Sequence, residues 1–135
     1  MTDGGGVPLA TIVTGANAHD VTQLLPLIAS IPTLKDPLGR RRRRPTTVLG
    51  DRAYDSSAHR KELKRHRILS LIARRGHAHG SGLGRFRWVV ERTIAWLHRF
   101  RRLRVRYDRR DDIHEGFLTL GCAMVCWKIL TRALC

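Results

Sequence analysis

The chain has 135 residues, 42% of them hydrophobic, enough for a packed core and too apolar for a disordered chain. Lysine and arginine total 26 against 11 acids, a net charge of +15, and a compact domain of that balance repels itself unless it meets a polyanion. Arginine outweighs lysine, and arginine grips phosphate bidentately, so nucleic acid is favoured over an anionic membrane or a merely solvated surface.

Val7–Gly15 is short, β-branched and flanked by glycine, which predicts a strand. Ala16–Asp20 reads as a polar turn, and a helix then runs to about Ile31 with Asp20 or Thr22 as N-cap. Pro26 requires that helix to begin close by. Pro32–Pro45 reads as a loop holding five consecutive arginines, Arg40 to Arg44, either a solvated run or a contact to a phosphate backbone. Thr46–Leu49 predicts a second strand, stopped by Gly50. Asp55, Ser56 and Ser57 cap a polar helix ending near Arg67, and Ile68–Ala73 is a third strand, apolar on both faces and expected to be buried.

Arg75–Gly84 is rich in glycine, histidine and serine. Without a third ligand nearby, its His77 and His79 read as part of a mobile loop rather than a metal clip. An arginine-rich helix is expected over Phe86–Arg102. A last helix follows Tyr107–Asp111 and continues to Leu134, with Asp112 and Glu115 at capping-box spacing. Its apolar run, Phe117–Trp127, falls short of the ~20 residues that span a bilayer and reads as a buried helix. The cysteines, Cys122, Cys126 and Cys135, are odd in number and form no CxxC pair, which fits free thiols in a reducing cytoplasm. Strands alternating with helices predict one α/β domain over residues 1–135, with a partly parallel sheet.

Two carboxylates stand out. Asp51 follows the C-terminal end of a short apolar strand, the edge where ligand and catalytic groups gather in an open α/β sheet; a turn aspartate after glycine is the plain alternative. On the helix Phe86–Arg102, the residues Phe86, Val89, Val90, Ile94, Trp96 and Leu97 predict packing against the sheet. Arg87, Glu91, Ala95 and His98 fall on one line along that helix. A carboxylate among apolar neighbours needs a partner or a cation. Arg87 could be that partner in a structural ion pair, while Ala95 leaves room for a metal or phosphate. If Asp51 and Glu91 converge, they would hold Mg²⁺ with its waters, and the metal would activate water against a phosphodiester. Between Arg85 and Arg110 stand ten arginines and two acids, interleaved with Phe86, Trp88, Trp96, Phe100 and Tyr107. The polar face of this stretch, with Arg92, Arg99, Arg101 and Arg102, is expected to be a DNA track.

These segments together resemble the transposases of bacterial insertion sequences, which carry a catalytic triad of two aspartates and a glutamate on an RNase H-like fold. Leu9–Leu25, with Thr14-Gly15-Ala16-Asn17-Ala18-His19-Asp20, looks like that family's third strand and the following helix. Gly50-Asp51-Arg52-Ala53-Tyr54-Asp55 is similar to its second-aspartate motif. Arg87-Trp88-Val89-Val90-Glu91-Arg92-Thr93 with Trp96-Leu97-His98-Arg99-Phe100-Arg101-Arg102-Leu103 looks like its glutamate signature. His98 stands where lysine is more usual, and Gly84 where many members have tyrosine. The resemblance implies that Asp51 and Glu91 are the second and third catalytic carboxylates, that they hold Mg²⁺ or Mn²⁺, and that Arg87 and His98 contact DNA ends. Asp20 and Asp55 read as helix caps.

No segment matches the family's first catalytic aspartate. The resemblance therefore implies a partial RNase H-like fold, a mixed sheet with helices, lacking the first two strands of the order 3-2-1-4-5. The expectation is the C-terminal part of a catalytic domain, either truncated or a downstream frame joined by frameshifting. Such a chain would be inactive in strand cleavage and strand transfer by itself, and its partners would be transposon ends, target DNA and an upstream transposase polypeptide, with no membrane. The rival expectations are a basic nucleic-acid-binding module in which Asp51 and Glu91 are structural, and an unfolded remnant.

Overall fold

A computed structural model describes residues 1–15, 17–36, 38–76 and 84–134, with Arg85 by its backbone only. The chain forms two compact units, one of Met1–Val13 with Phe86–Cys135 and one of Thr14–Arg85. Helices and short strands are both present, consistent with the α/β expectation.

The unit Thr14–Arg85 is organised by a strand, helix, strand repeat. Strand β3 (Thr47–Gly50), helix α2 (Ser57–Arg65) and strand β4 (Leu69–Ile72) follow helix α1 (Leu24–Ala29) and two short strands, β1 (Leu34–Lys35) and β2 (Arg41–Arg42). β3 and β4 pair in parallel, Thr47 opposite Leu69 and Gly50 opposite Ile72. Leu63 of α2 is fully buried, and Val48, Ile68 and Ile72 are buried with it. Ser56 caps α2 as expected, its hydroxyl accepting from the His59 N–H. A 3-10 turn, Asp20–Gln23, leads into α1, whose first turn accepts Pro26 because the N–H that proline lacks has no helical partner there. Neither Asp20 nor Thr22 acts as N-cap: His19 occupies that position without a side-chain bond, and the Thr22 hydroxyl donates to the His19 carbonyl.

Two expectations for this unit are corrected. β4 is not buried on both faces, since Leu69 is 59% and Leu71 40% exposed. Alternation along a strand sends Ile72 and Ser70 to one side and Leu69 and Leu71 to the other, and α2 covers one side only. The segment Pro32–Pro45 is not a plain loop, because β1 and β2 form an antiparallel hairpin. Its turn is tied by Asp36, whose carboxylate accepts from the N–H groups of Leu38 at 3.0 Å and Arg40 at 2.9 Å. Gly39, at φ +74°, supplies the left-handed turn residue.

In the other unit the predicted strand Val7–Gly15 is absent. A strand needs a neighbour to complete its ladder, and this segment folds back on the first residues instead. The Met1 amine donates to the Ala10 carbonyl at 2.8 Å, Leu9 N–H to the Met1 carbonyl at 3.0 Å, and one isolated bridge joins Thr2 to Pro8. Asp3 closes the turn by accepting from Gly5 and Val7. Gly6 stands at φ +82°, and a Cβ there would lie 3.0 Å from an Arg92 nitrogen and 3.1 Å from the Thr93 hydroxyl. Only glycine allows that approach, through which the buried Thr93 hydroxyl donates to the Gly6 carbonyl at 2.6 Å.

The expected helix Phe86–Arg102 is two helices, α3 (Gly84–Leu97) and α4 (Arg101–Arg104), with Phe100 in extended backbone between them. Across the break, Leu97, Phe100 and Leu103 all converge on Gly121 of helix α5 (Asp111–Leu134). On an unbroken helix residues three apart rotate by about 60° at each step, which would scatter these three over about 120°. The break lets all of them reach one glycine. Val89 and Thr93 are the buried residues of α3, while Phe86, Trp88, Val90 and Ile94 are exposed, so its apolar residues do not form one packed face.

α5 begins at Asp111, which puts Asp112 inside the first turn. Asp112 pairs with Arg110 rather than forming a capping box with Glu115. Nor is α5 a buried helix. Gly121 and Val125 are buried, but Leu120, Met124, Leu130 and Leu134 are exposed and Trp127 is 62% exposed. Its 24 residues are long and apolar enough to cross a membrane by length and composition. The run Phe117–Trp127 is shorter than the helix because Ile129, Leu130, Ala133 and Leu134 continue its apolar character beyond Lys128.

Candidate active site

β3 ends at Gly50, and Asp51 follows at the C-terminal edge of the parallel pair. Its backbone is extended, and one carboxylate oxygen accepts from the Ala53 N–H at 2.9 Å, capping a 3-10 turn over Arg52–Tyr54. The side chain is exposed, and its second oxygen takes no hydrogen bond or ion pair from the described residues. Tyr54 lies between two acids: burial raises its hydroxyl pKa most, and the charges of Asp20 and then Asp51 raise it further. The structure thus gathers Asp20 and Asp51 around Tyr54, a grouping that sequence spacing did not reveal.

Asp55 is a structural knot rather than the expected helix cap. It accepts from the Arg60 guanidinium at 2.8 Å and from the Arg75 backbone N–H at 2.8 Å. Arg60 donates on to the Ile72 carbonyl at the end of β4, and Arg75 to the Arg52 and Ala53 carbonyls of the Asp51 turn. Asp55 thereby fixes the backbone that presents Asp51. The Arg75 N–H first, and Arg60 second, hold the Asp55 carboxyl below the usual carboxylate range. A depressed carboxyl stabilises the fold fully above the ordinary carboxylate pKa of about 4 and loses that contribution as pH falls through its lower folded value. Asp55→Asn will therefore lower the melting temperature at neutral pH, and the gap from the parent will close in acid. Thermal melts from pH 7 to pH 3 read this directly, and an equal gap at both ends would contradict it.

Glu91 lies on α3 in the other unit. Its carboxylate pairs with Arg87 one turn back at 2.9 Å, and the two side chains are 60% and 78% exposed. The stripe Arg87, Glu91, Ala95, His98 faces solvent throughout. Past its end, the break between α3 and α4 opens a shallow groove lined by Ala95, His98, Arg99, Arg101 and Arg104. Arg104, which the sequence did not single out, joins the groove from α4, beyond the extended Phe100. Arg101 also lies over the Tyr107 ring, and Arg102 pairs with Asp108 at 3.2 Å and lies over Phe117. Arg92 is engaged with the chain itself: its guanidinium sits between the Trp88 and Trp96 rings, 4.5 and 4.9 Å from their centroids, and donates to the Gly5 carbonyl.

Carboxylate oxygens are the donors that hard divalent cations prefer. In its own unit Asp51 offers one carboxylate oxygen without a partner among the described residues, and in the other unit Glu91 offers an exposed carboxylate with Arg87 as partner. Among the described residues no three histidine, cysteine, aspartate or glutamate side chains cluster as a metal site. His77, His79 and Cys135 lie outside the described residues.

Residues 1–126 match the family described as Transposase DDE domain. The chain is 57% identical over 133 residues to a protein of Burkholderia cepacia named as a transposase for insertion sequence element IS402. It is 32% identical over 117 residues to the transposase for insertion sequence element IS1106 of Neisseria meningitidis serogroup B. These stretches take in 98% and 78% of the chain, which spans 63% of the first relative and 37% of the second. No solved structure matches the chain.

Proposed function

The chain belongs to the Transposase DDE domain family, and from that premise we propose that it acts in insertion-sequence transposition, as the C-terminal part of an RNase H-like catalytic domain that cuts and transfers DNA strands. The observation that carries this reading is the presentation of Asp51: an exposed carboxylate with a free oxygen, at the C-terminal edge of a parallel β-α-β unit, on a turn fastened by Asp55 and Arg75. Asp51 and Glu91 are the residues that would hold Mg²⁺ or Mn²⁺. When bound, the metal supplies an activated attacking oxygen and charge stabilisation for the leaving one. Arg87 orients the Glu91 carboxylate through their ion pair. The groove of His98, Arg99, Arg101 and Arg104 binds the phosphate backbone, while Arg92 and Arg102 are engaged within the chain.

Residues 1–135 work with DNA, both transposon ends and target, and with an upstream transposase polypeptide that brings the first aspartate. The setting is the cytoplasm. One observation favours the rival reading, a basic nucleic-acid-binding module without catalysis: the Arg87–Glu91 pair is a complete helical ion pair as it stands. Manganese titration followed residue by residue separates the two, because only the catalytic reading couples Glu91 to Asp51.

A further inference from the structure

The five consecutive arginines do not lie in a shapeless loop. Arg41 and Arg42 form strand β2 of a hairpin, with Arg41 opposite Lys35 and Arg42 opposite Leu34. The ribbon is fastened at its turn and its base. At the turn Asp36 accepts backbone N–H groups, and its second oxygen meets the Arg42 guanidinium at 3.4 Å. At the base Arg44 lies 3.1 Å from Nδ1 of His66, whose Nε2 is 3.0 Å from the Glu62 carboxylate. The imidazole thus lies between the Arg44 guanidinium and the Glu62 carboxylate and ties the base of the hairpin to α2.

The remaining cations of the hairpin are Lys35, Arg40, Arg41 and Arg43. All are exposed, and none of their side chains has a hydrogen bond or ion pair among the described residues. Like charges directly opposite each other on a ribbon destabilise it, and the Lys35–Arg41 pair is such a case. From Thr33 to Thr46 there are six basic residues and one acid, Asp36, which is already engaged. The hairpin therefore holds unneutralised positive charge on a stiffened backbone, an arrangement that an anion with regularly spaced charges relieves.

We propose that the β1–β2 hairpin is a second DNA contact, gripping the phosphate backbone of a duplex through Lys35, Arg41 and Arg43, with Arg42 and Arg44 serving as struts. The proposal rests on the reading that this chain acts on DNA, and it adds a surface distinct from the groove at the α3–α4 break. Arginine forks match phosphate geometry, and a two-stranded ribbon is narrow enough to follow or enter a duplex groove. The contact carries no base specificity, since its groups are cations aimed at backbone charge.

The experiment compares the full 135-residue chain with Arg41→Gln/Arg43→Gln and Arg41→Lys/Arg43→Lys. Binding to a duplex of arbitrary sequence is followed by fluorescence anisotropy across a salt series. Each phosphate contact contributes about 0.9 to the slope of log K against log salt. The glutamine pair will therefore flatten the slope by about 1.8, and the lysine pair will keep it. Melts without DNA will show the glutamine pair at least as stable as the parent, because like-charge repulsion is removed. An unchanged slope in the glutamine pair beside a parent that binds overturns the hairpin assignment alone. A parent that fails to bind duplex at low salt overturns both this assignment and the DNA reading beneath it. Loss of binding to anionic lipid vesicles in the glutamine pair, with duplex binding intact, overturns it in favour of a membrane surface.

Discussion

Duplex DNA of arbitrary sequence will bind the chain at low salt and dissociate steeply as salt rises. The chain carries 26 basic residues against 11 acids, and many of the acids are already paired within it. Asp36, Asp55, Glu62, Glu91, Asp108, Asp111 and Asp112 each meet an arginine. The groove at the α3–α4 break and the hairpin offer His98, Arg99, Arg101, Arg104, Lys35, Arg41 and Arg43 to a backbone. Six or more phosphate contacts correspond to a loss of roughly a thousandfold in affinity between about 50 and 200 mM salt. Anisotropy at four salt concentrations is sufficient to read the slope. Binding that changes less than about threefold over that range would mean fewer than one phosphate is neutralised, which is incompatible with either basic surface acting on DNA.

Strand cleavage is expected to behave in the opposite way, with the chain by itself giving no end-specific cut or strand transfer even in Mn²⁺. Asp51 and Glu91 alone would give divalent cations too few carboxylate ligands for phosphoryl chemistry, and on the proposed reading the first aspartate is brought by an upstream polypeptide. Misplacement of the reacting groups by about 1 Å costs on the order of a hundredfold, so a loosely held ion is not enough. Supplying an upstream polypeptide with the first aspartate will restore activity where the pieces assemble. In that assembly Asp51→Asn or Glu91→Gln will remove at least a hundredfold of the rate, while duplex affinity stays close to the parent's. Gel assays with labelled transposon ends measure both. Robust end-specific cleavage by the chain alone would show that another acid stands in for the first aspartate, and Asp20, grouped with Asp51 around Tyr54, would be the residue to replace next.

What the sequence revealed follows from which forces act locally. The β3–α2–β4 repeat and the position of Asp51 were legible because a short β-branched run, a stopping glycine and a Ser56 cap are local signals. The Arg87–Glu91 pair was legible for the same reason, since four-residue spacing alone brings the side chains together. The strand Val7–Gly15 failed because strands depend on a neighbour, which propensity cannot supply. The break after Leu97 was invisible because no proline or glycine marks it, and the contacts that accompany it, at Gly121, are distant in sequence. The arginine hairpin was missed because a run of like charges suppresses every strand signal, while Asp36 and Gly39 carry the turn information. Asp55 read as a cap because its real partners, Arg60 and Arg75, lie on other elements.

The central claim is that Asp51 and Glu91 serve one divalent cation. Manganese titration of the labelled chain, followed by paramagnetic broadening of each backbone amide, tests it most directly. The account predicts that the amides around Asp51 and around Glu91 broaden at the same low manganese concentration, and that Asp51→Asn abolishes the effect at both positions together. Broadening around Asp51 that leaves Glu91 sharp, or broadening at Glu91 that survives Asp51→Asn, would contradict it and leave Glu91 as the structural partner of Arg87.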